Sequence, residues 1–211
     1  MSFRSRLSNA PIAPTVVIAG VLGTTALALA TTGTLSAFAA SIQNTVNTTT
    51  TGSLVLQEQN SDGSVTCLST DGNTTNAATC ATINKYGGQS LLPGGSSTTT
   101  VKLTNQGTVT PKTFTLTAAG CTQSGTPPQG VPAPTDFCSK VSLNVYAAAT
   151  ATGTPIYTGS LDNFTTTPQT LTALAPKATQ AYTFVVSLPA SLGNGYQGLT
   201  ASQPMTWAMS S

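Results

Sequence analysis

The sequence contains no histidine. That removes the commonest general base and the commonest metal ligand together. It excludes His-dependent triads and the H-E-x-x-H zinc peptidases. Charge is also scarce: charged residues are 6% of the chain, against about 25% in typical soluble proteins. The only arginines, Arg4 and Arg6, lie at the extreme N-terminus. Beyond them, Lys85, Lys102, Lys112, Lys140 and Lys177 cancel Glu58, Asp62, Asp71, Asp136 and Asp162. A neutral chain without arginine carries no electrostatic footprint for nucleic acid and no polybasic membrane patch. No small-molecule substrate and no cofactor is indicated. From residue 45 onward no convincing 3.6-residue apolar period occurs, which argues against helical architecture.

Thr, Ser, Asn, Gln and Gly supply the polarity instead. The first 13 residues are basic and lack acids; an apolar run then extends from Pro14 to Ala30. This is the n-region and h-region of an export signal, and Ala37-Phe38-Ala39 offers an A-x-A cut after Ala39. The rival reading is a retained anchor, since 14–40 as one helix would be about 40 Å long. Thr31, Thr32 and Thr34 dilute its second half and favour cleavage. Contact with membrane would then be made only through the uncleaved signal.

Four cysteines, Cys67, Cys80, Cys121 and Cys138, form no C-x-x-C. In an exported chain they read as two disulfides, with three connectivities open. Cys67–Cys80 with Cys121–Cys138 is favoured, because each pair flanks a turn-rich insertion. Alternation marks strands near 53–58, 98–105, 112–118, 140–148, 154–157, 169–174, 181–188 and 205–209, with Gly/Pro/Asn/Asp turns between them. Short strands at this spacing predict an all-β antiparallel β-sandwich over 52–211, preceded by the signal helix. Between the two, 37–51 is rich in Thr and Asn, and Ile42, Asn44, Val46 and Thr48 alternate with polar neighbours. Such a segment suits extended structure. Its composition also suits a solvated tail.

Three candidate chemistries are weak. Glu58, Asp62 and Asp71 are close in sequence and offer oxygens to Ca²⁺, but without D-x-D-x-D-G spacing they read as solvated loop acids. Tyr146, Tyr157, Tyr182, Tyr196 and Trp207 would suit a sugar-binding face, but most alternate with apolar residues as core positions do. Leu188-Pro189-Ala190-Ser191 lacks the apolar run and basic tail of a wall-sorting signal. The sequence therefore predicts a non-enzymatic protein with no metal site.

The junction Gly33-Thr34-Leu35-Ser36-Ala37-Phe38, followed by Gly52-Ser53-Leu54-Val55-Leu56, resembles the TasA/camelysin family of exported proteins of Gram-positive bacteria. Leu92-Pro93-Gly94-Gly95 with Asn105-Gln106-Gly107, and Gly195-Tyr196-Gln197-Gly198 before the last strand, fit the same family. Its usual Asp after Pro-Gly is Gly95 here, and the cysteines are additions. The resemblance implies a cut between Ser36 and Ala37 by a dedicated signal peptidase of the SipW type. It implies a secreted jelly-roll subunit that polymerises with itself into biofilm-matrix fibres. The mature N-terminal segment, with Ile42, Asn44, Val46 and Thr48, would be a donor strand completing the sheet of the next subunit. Camelysin-like members have been classed as metallopeptidases, an activity for which this chain lacks histidine ligands. A secreted carbohydrate- or surface-binding module of the same fold is the other alternative.

Overall fold

The computed structural model describes residues 48–165 and 168–211, without the Thr165 side chain. The signal, both cleavage positions and Ile42, Asn44 and Val46 lie outside these residues; Thr48 is exposed and belongs to no strand. Among the described residues, no helix is long and apolar enough to cross a membrane.

The chain folds as an antiparallel β-sandwich. Its strands are β1 (Leu56–Asn60), β2 (Thr66–Leu68), β3 (Ser96–Asn105), β4 (Thr113–Ala118), β5 (Thr122–Gly125), β6 (Ser142–Tyr146), β7 (Tyr157–Ser160), β8 (Gln169–Thr170), β9 (Thr179–Ser187), β10 (Leu199–Ser202) and β11 (Met205–Ser210). A single helical turn, α1 (Phe137–Lys140), and two 3₁₀ turns, Asp162–Thr165 and Asn194–Tyr196, complete the set. Six strands form one sheet in the order β2-β1-β3-β9-β6-β7. The opposing layer is split into β11-β4-β8 and β10-β5.

Side-chain alternation explains the layers. Val101 and Leu103 of β3, Tyr182, Phe184 and Val186 of β9, and Leu143 and Val145 of β6 are buried. Register aligns Val101 with Tyr182, and Val186 with Leu143. They face Phe114 and Leu116 of β4, both fully buried. Burying large apolar side chains like these is worth about 1.5–3 kcal/mol each. The outward face of β3 and β9 is a threonine ladder: Thr100 pairs with Thr183 at 2.9 Å and Thr104 with Thr179 at 2.7 Å. Such cross-strand hydroxyl pairs stabilise the outer face, where Lys102 stands between Thr100 and Thr104 on β3.

The start of the domain is fixed by the Asn105 turn. Asn105 is completely buried. Its amide donates to the carbonyls of Val109 (2.8 Å) and Leu174 (2.9 Å), and its oxygen accepts the Gly107 N–H (2.9 Å). Gly107 is required by close approach: a Cβ there would lie 2.2 Å from the Ser53 carbonyl oxygen and 2.9 Å from Leu54 Cα. Residues 53–55 run beside it, bonded through Thr108 N–H to Ser53 O (2.9 Å) and Gln106 N–H to Val55 O (2.7 Å). The point at which the N-terminal segment leaves the domain is therefore set.

Disulfides join Cys67 to Cys80 and Cys121 to Cys138. Ring closures of this size contribute on the order of 3 kcal/mol each in the chain-entropy model. They fit an oxidising compartment.

Asn105→Leu leaves two buried carbonyls and one N–H without partners. It should lower the free energy of urea unfolding by about 3 kcal/mol; a loss below about 1 kcal/mol would show that the turn does not depend on this side chain.

Candidate functional site

In the β11-β4-β8 sheet, β11 is an edge strand: among the described residues, β4 lies on one side and no strand on the other. Met205, Trp207 and Met209 point inward but are only half-buried, whereas Phe114 and Leu116 on neighbouring β4 are fully covered. The core is therefore open along this edge. A cleft of about 670 Å³ follows it, walled on the opposite side by Leu54, Leu56 and Glu58 and by the segment carrying Ile83, Lys85 and Tyr86.

Trp207 forms the floor. Its ring centroid lies 5.0 Å from Tyr182, 6.2 Å from Phe114 and 6.1 Å from Phe184. Its indole N–H donates to Glu58 Oε1 at 3.2 Å. Lys85 Nζ reaches the same oxygen at 2.7 Å and stands 6.0 Å from the Trp207 ring centroid. Glu58 is 7% exposed and pairs with Leu103 in the sheet register, so a carboxylate projects into the sandwich interior. The reading of Glu58 as a solvated loop acid is corrected: it is a strand residue with a buried ion pair. Its parity with Leu54 and Leu56 carries this signal, because every second strand residue shares a face.

The outer wall is a strap closed by Cys67–Cys80. Ser69 Oγ accepts the Leu56 N–H (3.0 Å), and Asn76 donates to the Leu54 carbonyl (2.6 Å). The wall is thus tied to β1 rather than free to swing.

A second cleft of about 570 Å³ continues along residues 196–201, lined by Leu91, Leu188, Leu192, Phe137 and Tyr196. Tyr86 lines both clefts. Its hydroxyl donates to Gln203 Oε1 at 2.7 Å. Burial, with a smaller contribution from Tyr157, pushes that hydroxyl well above the ordinary tyrosine pKa, so it remains a donor. Gln203 is held in turn by its amide, which donates to Ala119 O (2.8 Å) and Leu161 O (3.0 Å). At the far end, Asp136 accepts the Tyr196 hydroxyl (2.8 Å) and pairs with Lys140 (3.1 Å). These two partners, Tyr196 first, hold its carboxyl below the usual range.

The three acids considered for Ca²⁺ do not converge. Asp62 accepts the Ser64 N–H and Asp71 the Leu68 N–H, both within turns. Among the described residues, the cluster of three ligand-type side chains is Cys121, Cys138 and Asp162. Its two sulfurs are bonded to each other and offer no thiolate. Of the aromatic candidates, Tyr182 and Trp207 are in contact and the others lie apart from them. Tyr182 is core, Tyr157 packs on Phe164 at 4.3 Å, Tyr196 on Phe137 at 6.0 Å, and Tyr146 is half-buried on β6.

Removing one partner of a buried pair leaves the other charge uncompensated. Lys85→Ala should lower unfolding free energy by about 3 kcal/mol, while Glu58→Leu with Lys85→Met should recover most of it. Equal losses for the single and double variants would show that the pair is not the source of the effect.

No protein-family model and no curated protein matches the chain. Among solved structures it has a partial likeness to a family 123 glycoside hydrolase from Clostridium perfringens, studied for glycolipid glycan hydrolysis. Identity is 9% and the TM-score 0.30, covering 56% of this chain and 19% of that one. The chain thus spans a small part of that protein. The expectation of a non-enzyme is corrected to this extent: a solved structure that it partly resembles is a hydrolase, and the expectation is withdrawn. A likeness this slight assigns the chain no hydrolase activity either.

Proposed function

We propose that the chain is a secreted structural subunit, akin to the TasA/camelysin proteins, that assembles head-to-tail into extracellular fibres. The mature N-terminal segment of one copy adds a strand to the free edge of β11 in the next. The observation that carries this reading is the edge itself. Among the described residues no strand pairs with the outer side of β11, which lies beside a half-open core, and a guest strand would satisfy both needs at once. A sandwich with such an edge normally blunts it with charge, proline or a covering loop. Met205–Ser210 contains neither charge nor proline.

Segment 37–51 suits the guest role. It is uncharged and free of proline, and its β-branched residues favour extension. It joins the domain at residues anchored against Gly107, so a segment leaving one copy can reach a neighbour while the domain stays folded. A contact of this kind is heterologous and does not close, so it propagates as a filament. With lysines and acids in balance after the signal, subunits stack without net repulsion. The two disulfides suit export to an oxidising environment.

The mature chain beginning at Ala37 should form filaments visible by negative-stain microscopy. Deleting 37–50 should leave soluble monomers. Identical fibres from the truncated chain would rule out the strand exchange.

A further inference from the structure

The two clefts adjoin at Tyr86, whose hydrogen bond to Gln203 runs between their walls. Their other wall is a single run of chain, 198–201 continuing into 203–209. An extended guest covering 198–209 spans about 40 Å, and segment 37–51 when extended spans about 50 Å. The occupant is therefore long enough to use both compartments.

The groove is chemically divided along its length. One cleft carries the apolar side chains of Leu54, Leu56 and Met209 beside Ser69 and Asn76. The other carries Leu91, Leu192 and Leu199 beside Gln89 and Asn194. Between them sit the polar groups Glu58, Lys85, Tyr86 and Gln203. Lys85 and Tyr86 are consecutive residues, which sets the ion pair and the Tyr86–Gln203 bond side by side. These residues are buried or half-buried and already partner one another, so a guest gains there only by adding hydrogen bonds to their remaining lone pairs.

The candidate guest repeats this pattern. Ile42, Asn44 and Val46 share one face of an extended segment, reading apolar, polar, apolar, with neighbours about 6.8 Å apart. We infer that Asn44 of the incoming segment docks at the Glu58/Lys85/Tyr86/Gln203 divider and fixes the register of assembly, with Ile42 and Val46 against the apolar side chains on either side. This rests on the groove being the acceptor, and it adds which residue reads which part of it. An amide both donates and accepts, so it serves the Glu58 carboxylate and the Tyr86 hydroxyl alike. A slip of two residues sets Ile42 or Val46 against the divider, and a slip of one turns Gln43 and Thr45 inward. Register is otherwise weakly specified for a guest this rich in threonine and asparagine. The polar pair supplies the specificity that apolar contacts lack, as a buried asparagine does in coiled coils.

The test measures the critical concentration for filament formation of the mature chain from Ala37. Asn44→Val should raise it about tenfold or more, and Gln43→Val, on the opposite face, less than about threefold. Tyr86→Phe with Gln203→Leu, introduced into the Asn44→Val chain, should bring it back toward the unsubstituted value. A thermal melt checks that this variant is folded. If Gln203→Leu does not fold, Asn44→Val against Gln43→Val, which leave the groove residues unchanged, decides the register alone. Asn44→Val assembling like the unsubstituted chain, while deletion of 37–50 still abolishes filaments, overturns the register and leaves the groove reading intact. Failure of a folded groove variant to rescue Asn44→Val also overturns it, since the partner of Asn44 would then lie elsewhere. A mature chain that stays monomeric defeats both.

Discussion

An antiparallel sheet cannot end without leaving backbone donors and acceptors unpaired, and among the edge strands of the described residues β11 is one that borders a half-open core. The strand is paired on one side by β4. Its inward side chains complete the sandwich only partly, so the free edge and the open core are the same place. Other features are arranged around it. The Trp207 ring packs on the central residues of β4 and β9. The strap from Cys67 to Tyr86 forms the facing wall. The Asn105 turn sets where the N-terminal segment departs.

Two energies meet at this edge. Burial of apolar surface favours closing the groove, because a guest would cover Leu54, Leu56, Trp207 and Met209. The Glu58–Lys85 pair acts differently. A buried ion pair adds little net stability over an apolar replacement, because desolvation offsets attraction. It makes the middle of the groove demanding about what lies against it. In the proposed assembly, affinity and selectivity would be carried by different residues of one site. Tying the wall to the chain at 54–56 through Ser69, Asn76 and Cys67–Cys80 keeps the groove preformed, which would lower the entropy lost if a strand entered.

Much of the framework was legible in residue alternation. Val101/Leu103, Phe114/Leu116 and Leu143/Val145 each mark a strand whose inward face is buried. Strands without that signature were not legible. Pro-rich 120–136 reads as loop, yet Thr122–Gly125 pairs with Leu199–Ser202 because Gln123 and its distant partner Ala201 meet in register. Such polar strands are selected by their neighbours rather than by their own pattern. The run expected at 154–157 falls instead at Tyr157–Ser160, and 169–174 contracts to Gln169–Thr170, for the same reason. The single turn α1 is too short for any period to show. Of the site, the parity of Leu54, Leu56 and Glu58 was readable. The Lys85 partner was not, because it comes from a turn-rich strap whose position depends on folding.

Trp207 is the protein's only tryptophan and stands in the groove, so its emission reports directly whether the groove is filled. Following that emission while the mature chain is concentrated tests the central claim. The account predicts a blue shift and reduced quenching by acrylamide, rising in step with filament mass. Filaments that grow while Trp207 emission and quenching stay those of the monomer would contradict it.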